Sequence, residues 1–355
     1  MSQTMHRVMR QVMRPIDRRF GPTPGAPGLT GRREESTGGQ EKRIATGTPA
    51  TPTGSFGEMK IFYCDTFVLP LPPGHRFPME KYRLLRERVD AERLGTLRVP
   101  EAAADAALLR VHEAGYLDRV TAGTLTREEV RRIGFPWSPG LVERSRRSVG
   151  GTIGAALAAL SDGAAANLAG GTHHAFADRG EGFCVFNDVA VAIRAMQATG
   201  RIQRAAVLDL DVHQGNGTAA LFRDDPRVFT ASVHGERNFP FRKEPGDLDL
   251  ALADGADDSA FLAAVDAAVQ AVVEVGQPDL VVYIAGADPF EGDRLGRLGV
   301  SREGLARRDL LVTEALGAAG IPLAVVMGGG YAHDVADTVD IHLHAVRAAA
   351  SLARS

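Results

Sequence analysis

Cysteine is nearly missing from the 355 residues: there are two, Cys64 and Cys184, and neither sits in a CxxC pair. That excludes a disulfide framework and a thiolate zinc site, and it makes a reducing cytoplasm the expected setting. Uninterrupted apolar runs are short, none near the roughly 18 residues a membrane-spanning helix needs, so no membrane association is expected. An excess of one sign of charge is lacking too: 41 Lys and Arg stand against 44 Asp and Glu, a formal net charge of -3. That balance gives no broad electrostatic basis for binding nucleic acid. What is present is 44% apolar and 24% charged residues, enough for one large core or two modest ones.

The first 58 residues differ in composition, with Pro-, Gly-, Thr- and Ser-rich stretches over 22–30 and 46–55. They read as a disordered or non-native extension. Within them Met5, Val8, Met9, Val12, Met13, Ile16 and Phe20 fall on one helical stripe, with Arg7, Arg10, Arg14 and Arg18 around it, the pattern of a docking helix. Pro15 would break such a helix, and a solvated tail or a true start at Met59 is the plainer reading. From Met59 onward there is no second composition break and no internal repeat, so 59–355 is expected to be one domain.

Four runs, 205–211, 227–233, 279–285 and 322–327, are rich in Val, Leu and Ile and separated by long helical stretches, as buried parallel strands are. Helix ends are legible between them. Thr126 and Glu129 make a capping box, and Ser138 before Pro139 is a helix start. Alternating β and α predicts an α/β, doubly wound sheet.

Polar groups follow each strand: Asp211 and His213 the first, His234 the second, Asp288 the third, and Gly328-Gly-Gly-Tyr331 the fourth. In open α/β sheets that edge binds ligands. Strand alternation sends Asp209, Asp211 and His213 to one side. Two carboxylates and an imidazole on one face of a buried strand need a cation among them. A salt-bridged strand end is the alternative, but no Lys or Arg lies between Leu208 and Ala220. Asp288 can supply a third ligand and leave a position open, a donor set that suits catalytic Zn2+, with Fe2+ or manganese as alternatives. Tandem His173 and His174 follow a helical stretch and a Gly-rich turn and suit proton traffic, although adjacent histidines alone are weak evidence. Tyr331, on a flexible glycine loop, offers a phenol able to polarise a carbonyl, or is simply a packed tyrosine.

The runs Gly170-Gly-Thr-His-His-Ala175, Glu181-Gly-Phe-Cys-Val-Phe-Asn-Asp188, Asp209-Leu-Asp-Val-His-Gln-Gly-Asn-Gly217, Gly286-Ala-Asp288 with Asp293-Arg-Leu-Gly296, and Gly328-Gly-Gly-Tyr331 resemble, in order, the motifs of the histone deacetylase family. Gln-Gly-Asn after His213 is closest to the class IV branch and its bacterial relatives. The resemblance implies the arginase–deacetylase fold, a three-layer α/β domain with a doubly wound, mostly parallel eight-stranded sheet. It implies a zinc-dependent N-acyl-lysine deacylase that hydrolyses the amide with metal-activated water, the metal held by Asp211, His213 and Asp288. His174 would be the general base and His173 the electrostatic partner or acid, oriented by Asp209. Asn216 would face His174 where class I enzymes carry Asp, and Tyr331 would donate to the substrate carbonyl. Phe183, with Gly182 before it, and Phe239 match the residues lining the acyl-lysine tunnel. Leu295 stands where polyamine deacetylases carry a Glu gatekeeper, which favours an acylated lysine peptide or protein over a small acylated amine such as an acetylpolyamine. A structural K+ is implied near Asp209, Asp211, His213, Ser232 and Val233. Two other readings are weighed: a binuclear manganese hydrolase of the arginase type, for which carboxylates are too few, and a non-catalytic acyl-binding relative, which the intact motifs oppose.

Overall fold

The computed structural model describes residues 58–353; the stripe between Met5 and Phe20 lies outside them. In chain order the elements are β1 (Lys60–Phe62), α1 (Glu80–Ala91), β2 (Thr96–Arg98), α2 (Asp105–Leu108), α3 (Ala114–Ala122), α4 (Arg127–Ile133), α5 (Pro139–Asp162), β3 (Ala164–Asn167), α6 (Asp188–Ala198), β4 (Ala205–Asp209) and α7 (Asn216–Phe222). They continue with β5 (Val228–Gly235), β6 (Leu248–Leu252), α8 (Asp258–Ala271) with a π-helical turn (Val272–Gly276), β7 (Val281–Ile284), α9 (Arg302–Ala318), β8 (Leu323–Val326) and α10 (Val335–Ala353). The eight strands form one sheet in the order β2-β1-β3-β8-β7-β4-β5-β6, and every pair is parallel.

Alternation along the strands builds the three layers. Ala206, Leu208, Val281, Tyr283, Leu323 and Val325 point into one core, which α1, α8, α9 and α10 cover. Ala205, Val207, Val282, Ile284, Ala324 and Val326 point into the other, under α5 and α6. With both faces buried the strands become continuous apolar runs, which is why four of them are legible by composition. β3 is not: its sequence is AAAN, buried throughout, and it forms because small side chains let the alanine face of α5 approach closely. The tandem histidines therefore follow a strand and its turn rather than a helical stretch. The segment Asp258–Gly276 has the length and mean hydropathy, 1.5, of a membrane span. Here Phe261, Val265, Ala268, Val269 and Val272 bury its apolar side in the first core.

The predicted caps form. Thr126 accepts from the backbone of Glu129, whose side chain returns the bond to Thr126, and Ser138 accepts from Leu141 ahead of α5. In sequence the chain runs outward from β3 to β6 and returns to place β7 and β8 between β3 and β4. That reversal is where the carboxyl ends of neighbouring strands open a crevice.

Candidate active site

The crevice is a cavity of about 540 Å³ lined, among others, by His173, His174, Asp211, His213, Asp288 and Tyr331. β4 stops at Asp209, two residues earlier than the sequence run implies, because the N–H groups from Asp211 on turn to carboxylates, although Leu210 N–H still donates to Ile284 O and Val212 O accepts from Gly235 N–H. Asp211 N–H donates to Asp209 Oδ1 (3.2 Å), Val212 N–H to Asp288 Oδ1 (2.9 Å) and His213 N–H to Asp211 Oδ1 (2.9 Å). Leu210 and Val212 still point into the core. The acidic and imidazole side chains therefore share a side, as alternation predicts, although they stand on a bend.

Asp211 Oδ1 lies 2.9 Å and Asp288 Oδ2 3.1 Å from His213 Nδ1, and one ligand atom from each residue falls within 4.8 Å of the others. Each carboxylate keeps its second oxygen on a backbone N–H: Asp211 Oδ2 accepts from Gly329 (2.6 Å), Asp288 Oδ1 from Val212. Any side chain at position 329 would place its Cβ 2.0 Å from Asp288 Oδ2, so only glycine lets the fourth motif close over the cluster. Burial works against charge on His213, yet the two carboxylates hold its pKa up at about 10. Burial and the Asp211 charge push Asp288 up to about 6. Two buried carboxylates thus share one imidazole, and this excess negative charge fits a divalent cation bound by two oxygens and one nitrogen.

Beside the cluster the tandem histidines differ in partner and in charge. His173 Nδ1 is 2.7 Å from Asp209 Oδ2, and although burial opposes its charge, Asp209 and Asp211 raise its pKa to about 9. His174 Nδ1 is 2.7 Å from Asn216 Oδ1. Burial and the charges of His173 and His213 drive the pKa of His174 well below 6.5, because an amide partner offers no countercharge. Tyr331 is 7% exposed, and burial raises its phenol well above 10. Its backbone is not slack: the N–H donates to Asp293 Oδ2 (2.6 Å) and the carbonyl accepts from Arg294 N and Nε (3.2 and 2.9 Å).

Phe183, Gly182, Phe239 and Leu295 all line the cavity. Phe239 meets His174 edge-on at 4.9 Å between ring centres, and Phe183 lies 6.0 Å from Tyr331. Phe183 holds a positive φ of 65°, a costly conformation for a bulky residue. The free carbonyls at the end of α4 sustain it: Gly182 N–H donates to Arg132 O (3.1 Å) and Phe183 N–H to Ile133 O (2.7 Å). Ser232 and Val233 lie in β5, with Ser232 in register with Asp209. Between these strands a pocket of about 10 Å³, close to the room one water or ion takes, is lined by Asp209, Gln214, Thr230 and Ser232 among others. His234 lies inside β5 rather than after it, bonds Ser232 Oγ (2.9 Å) and stays out of the crevice.

Lys81 was not foreseeable as a site residue. It is 2% exposed, and its ammonium donates to Gly330 O (3.3 Å) and lies 5.3–5.6 Å from the centres of the Phe77, Tyr82 and Tyr331 rings. Burial lowers its pKa to about 8. In the sequence it is one cation among several in an ordinary amphipathic helix.

An α/β crevice presenting a cluster able to hold a metal, two histidines shifted in opposite directions and a buried phenol has the parts that hydrolysis needs. Comparison with known proteins gives the family: the histone deacetylase domain matches residues 75–346, and the chain belongs to that family of hydrolases. It is 46% identical to an uncharacterised protein of Picosynechococcus sp. over 81% of this chain and 97% of that one. It is 33% identical to the histone deacetylase-like amidohydrolase of Pseudomonas aeruginosa, over 74% of each. Among solved structures, a histone deacetylase homologue complexed with SAHA superposes with a TM-score of 0.72 at 25% identity, covering 83% of this chain and 84% of the other. The eight-stranded parallel sheet is that of the arginase–deacetylase fold.

Proposed function

We propose that residues 59–355 form a single catalytic domain that hydrolyses an N-acyl amide, an acylated lysine side chain foremost, with Zn2+ as the metal. The observation that carries this reading is the convergence of Asp211, His213 and Asp288 within 4.8 Å beside both histidines and Tyr331. Those three residues would hold the ion, which when bound supplies Lewis acidity toward water and the scissile carbonyl. Fe2+ suits the same donors.

His174, kept neutral by its surroundings, donates from Nδ1 to Asn216 and so has Nε2 free to take a proton from the attacking water. The proton passes to the departing amine, so that amide and water become a carboxylate and an ammonium. His173, held charged by Asp209, keeps a positive charge beside the developing oxyanion. Tyr331 retains its proton and donates it as a hydrogen bond to the carbonyl oxygen. Phe183 and Phe239 offer apolar walls suited to a neutral acylated side chain and hostile to a free ammonium. A structural K+ near Asp209, Asp211, His213, Ser232 and Val233 belongs to the same proposal; of these, Asp209 and Ser232 line the small pocket.

The test is fluorophore release from acetyl-, trifluoroacetyl- and myristoyl-lysine peptides by purified protein, with and without chelator, beside His174→Ala. Chelator-sensitive release that His174→Ala abolishes is expected. No release from any peptide by zinc-loaded protein would contradict the lysine assignment and favour a small acylated amine.

A further inference from the structure

His174 can serve as a base at Nε2 only if its proton sits on Nδ1, and that depends on which end of the Asn216 amide faces it. The two ends are nearly the same size. Turned one way, Asn216 presents a carbonyl oxygen that accepts from Nδ1–H; turned the other, it presents an NH2 that would force Nδ1 to be the acceptor and place the proton on Nε2. An aspartate at this position would have no such ambiguity, since both of its oxygens accept.

The structure supplies a third group that removes the ambiguity. Asn216 Nδ2 donates to Glu181 Oε1 (3.3 Å) while Oδ1 faces His174 Nδ1 (2.7 Å). An ionised carboxylate accepts and cannot donate, so it selects the NH2 end and leaves the oxygen for the histidine. Glu181 stands on a rigid turn: its backbone exchanges both hydrogen bonds with Cys184 (3.0 and 2.9 Å), and the next two N–H groups are tied to the carbonyls closing α4. Its side chain reaches the cavity wall.

We infer that Glu181 is a positioning residue that locks the Asn216 amide so that His174 carries its proton on Nδ1 and presents Nε2 to the substrate. The inference rests on the proposed role of His174 as the base. It accounts for how an amide at position 216 gives the imidazole a definite direction: the carboxylate that would do so directly is displaced one residue outward, and the amide between them passes on orientation.

The test uses the full chain with its metal and three variants: Glu181→Met, which keeps length and removes the acceptor, Asn216→Asp, and the two combined. Glu181→Met is expected to lower kcat on acetyl-lysine peptide roughly tenfold with KM nearly unchanged, within the range lost when partners of site residues are removed. Asn216→Asp sets two carboxylates against each other and is also expected to be slow. The combined variant is expected to recover most of the wild-type kcat, since a carboxylate facing His174 accepts whichever way it turns. A purely structural role for Glu181 would not be rescued by a change at position 216. A second readout needs no turnover: imidazole 15N spectra of the wild type, assigned by the signal lost in His174→Ala, should show His174 protonated on Nδ1, and Glu181→Met should shift it toward Nε2. Wild-type kcat in Glu181→Met, a combined variant as slow as the slower single one, or an unchanged His174 tautomer would each overturn the inference. A wild type inactive on every peptide would instead overturn the reading of the site, and the spectra would still decide the role of Glu181.

Discussion

Tyr331 shows how closely each side chain proposed for the chemistry is held. Its ring packs against Phe77 and Phe183 at 5.9 and 6.0 Å, and its backbone is fixed by Asp293 and Arg294. Tyr331→Phe keeps those contacts and removes only the donor, so kcat should fall on the order of 100-fold while Tm changes little. Steady-state kinetics beside a thermal melt separate the two effects, and an unchanged kcat would take the phenol out of the reaction. Gly182 makes the complementary case. It holds φ +54°, and a Cβ there would lie 2.7 Å from His174 Cδ2. Gly182→Ala should therefore depress kcat through a displaced imidazole, with the far larger loss of His174→Ala as reference.

Among the elements, α4 and the segment between α2 and α3 link local stability to the site. α4 begins with the Thr126–Glu129 box and ends by offering its carbonyls to Gly182 and Phe183. Thr126→Ala should cost about 1 kcal/mol in urea unfolding, and it should also loosen the Glu181–Phe183 turn. His112, 2% exposed, donates from Nδ1 to Phe176 O (2.9 Å) and accepts at Nε2 from Asn187 N–H (3.0 Å), the residue that caps α6. Burial lowers its pKa to about 4, so the folded chain prefers the neutral ring. A depressed histidine contributes stability that is complete above its unfolded pKa, near 6.5, and is lost as pH falls toward 4. Urea unfolding of the wild type should lose roughly 2 kcal/mol more than His112→Asn between pH 7 and pH 4.5; equal losses would contradict the assignment. The same elements show what the sequence could reveal. Capping box, Pro start and four Val- and Leu-rich strands are local signals with a local cause. β3 carries no β-forming residue, and β1 and β2 are three residues long, so their pairing is decided by the sheet. The Asp211–His213–Asp288 cluster was legible because a buried Asp-x-Asp-x-His calls for countercharge; Lys81 and the Glu181–Asn216 contact were not, because each depends on segments distant in sequence.

In the molecule as a whole, one parallel sheet buried on both faces brings the ends of β3, β4, β7 and β8 to one crevice, and the negative charge gathered there is left without a full countercharge. A metal bound only by the folded chain must then stabilise it. Added Zn2+ should raise the Tm of chelator-stripped protein, and Asp288→Asn should remove most of that gain. Calorimetric melts at several Zn2+ concentrations test this, and a Tm indifferent to zinc would contradict it. The most direct test of the whole reading is acetate release from an acetyl-lysine peptide by stripped protein as Zn2+ is titrated back. Release that is absent without metal and saturates near one equivalent is the expected result; release that survives stripping, or that no amount of Zn2+ or Fe2+ restores, would contradict a metal-dependent amide hydrolase built on Asp211, His213 and Asp288.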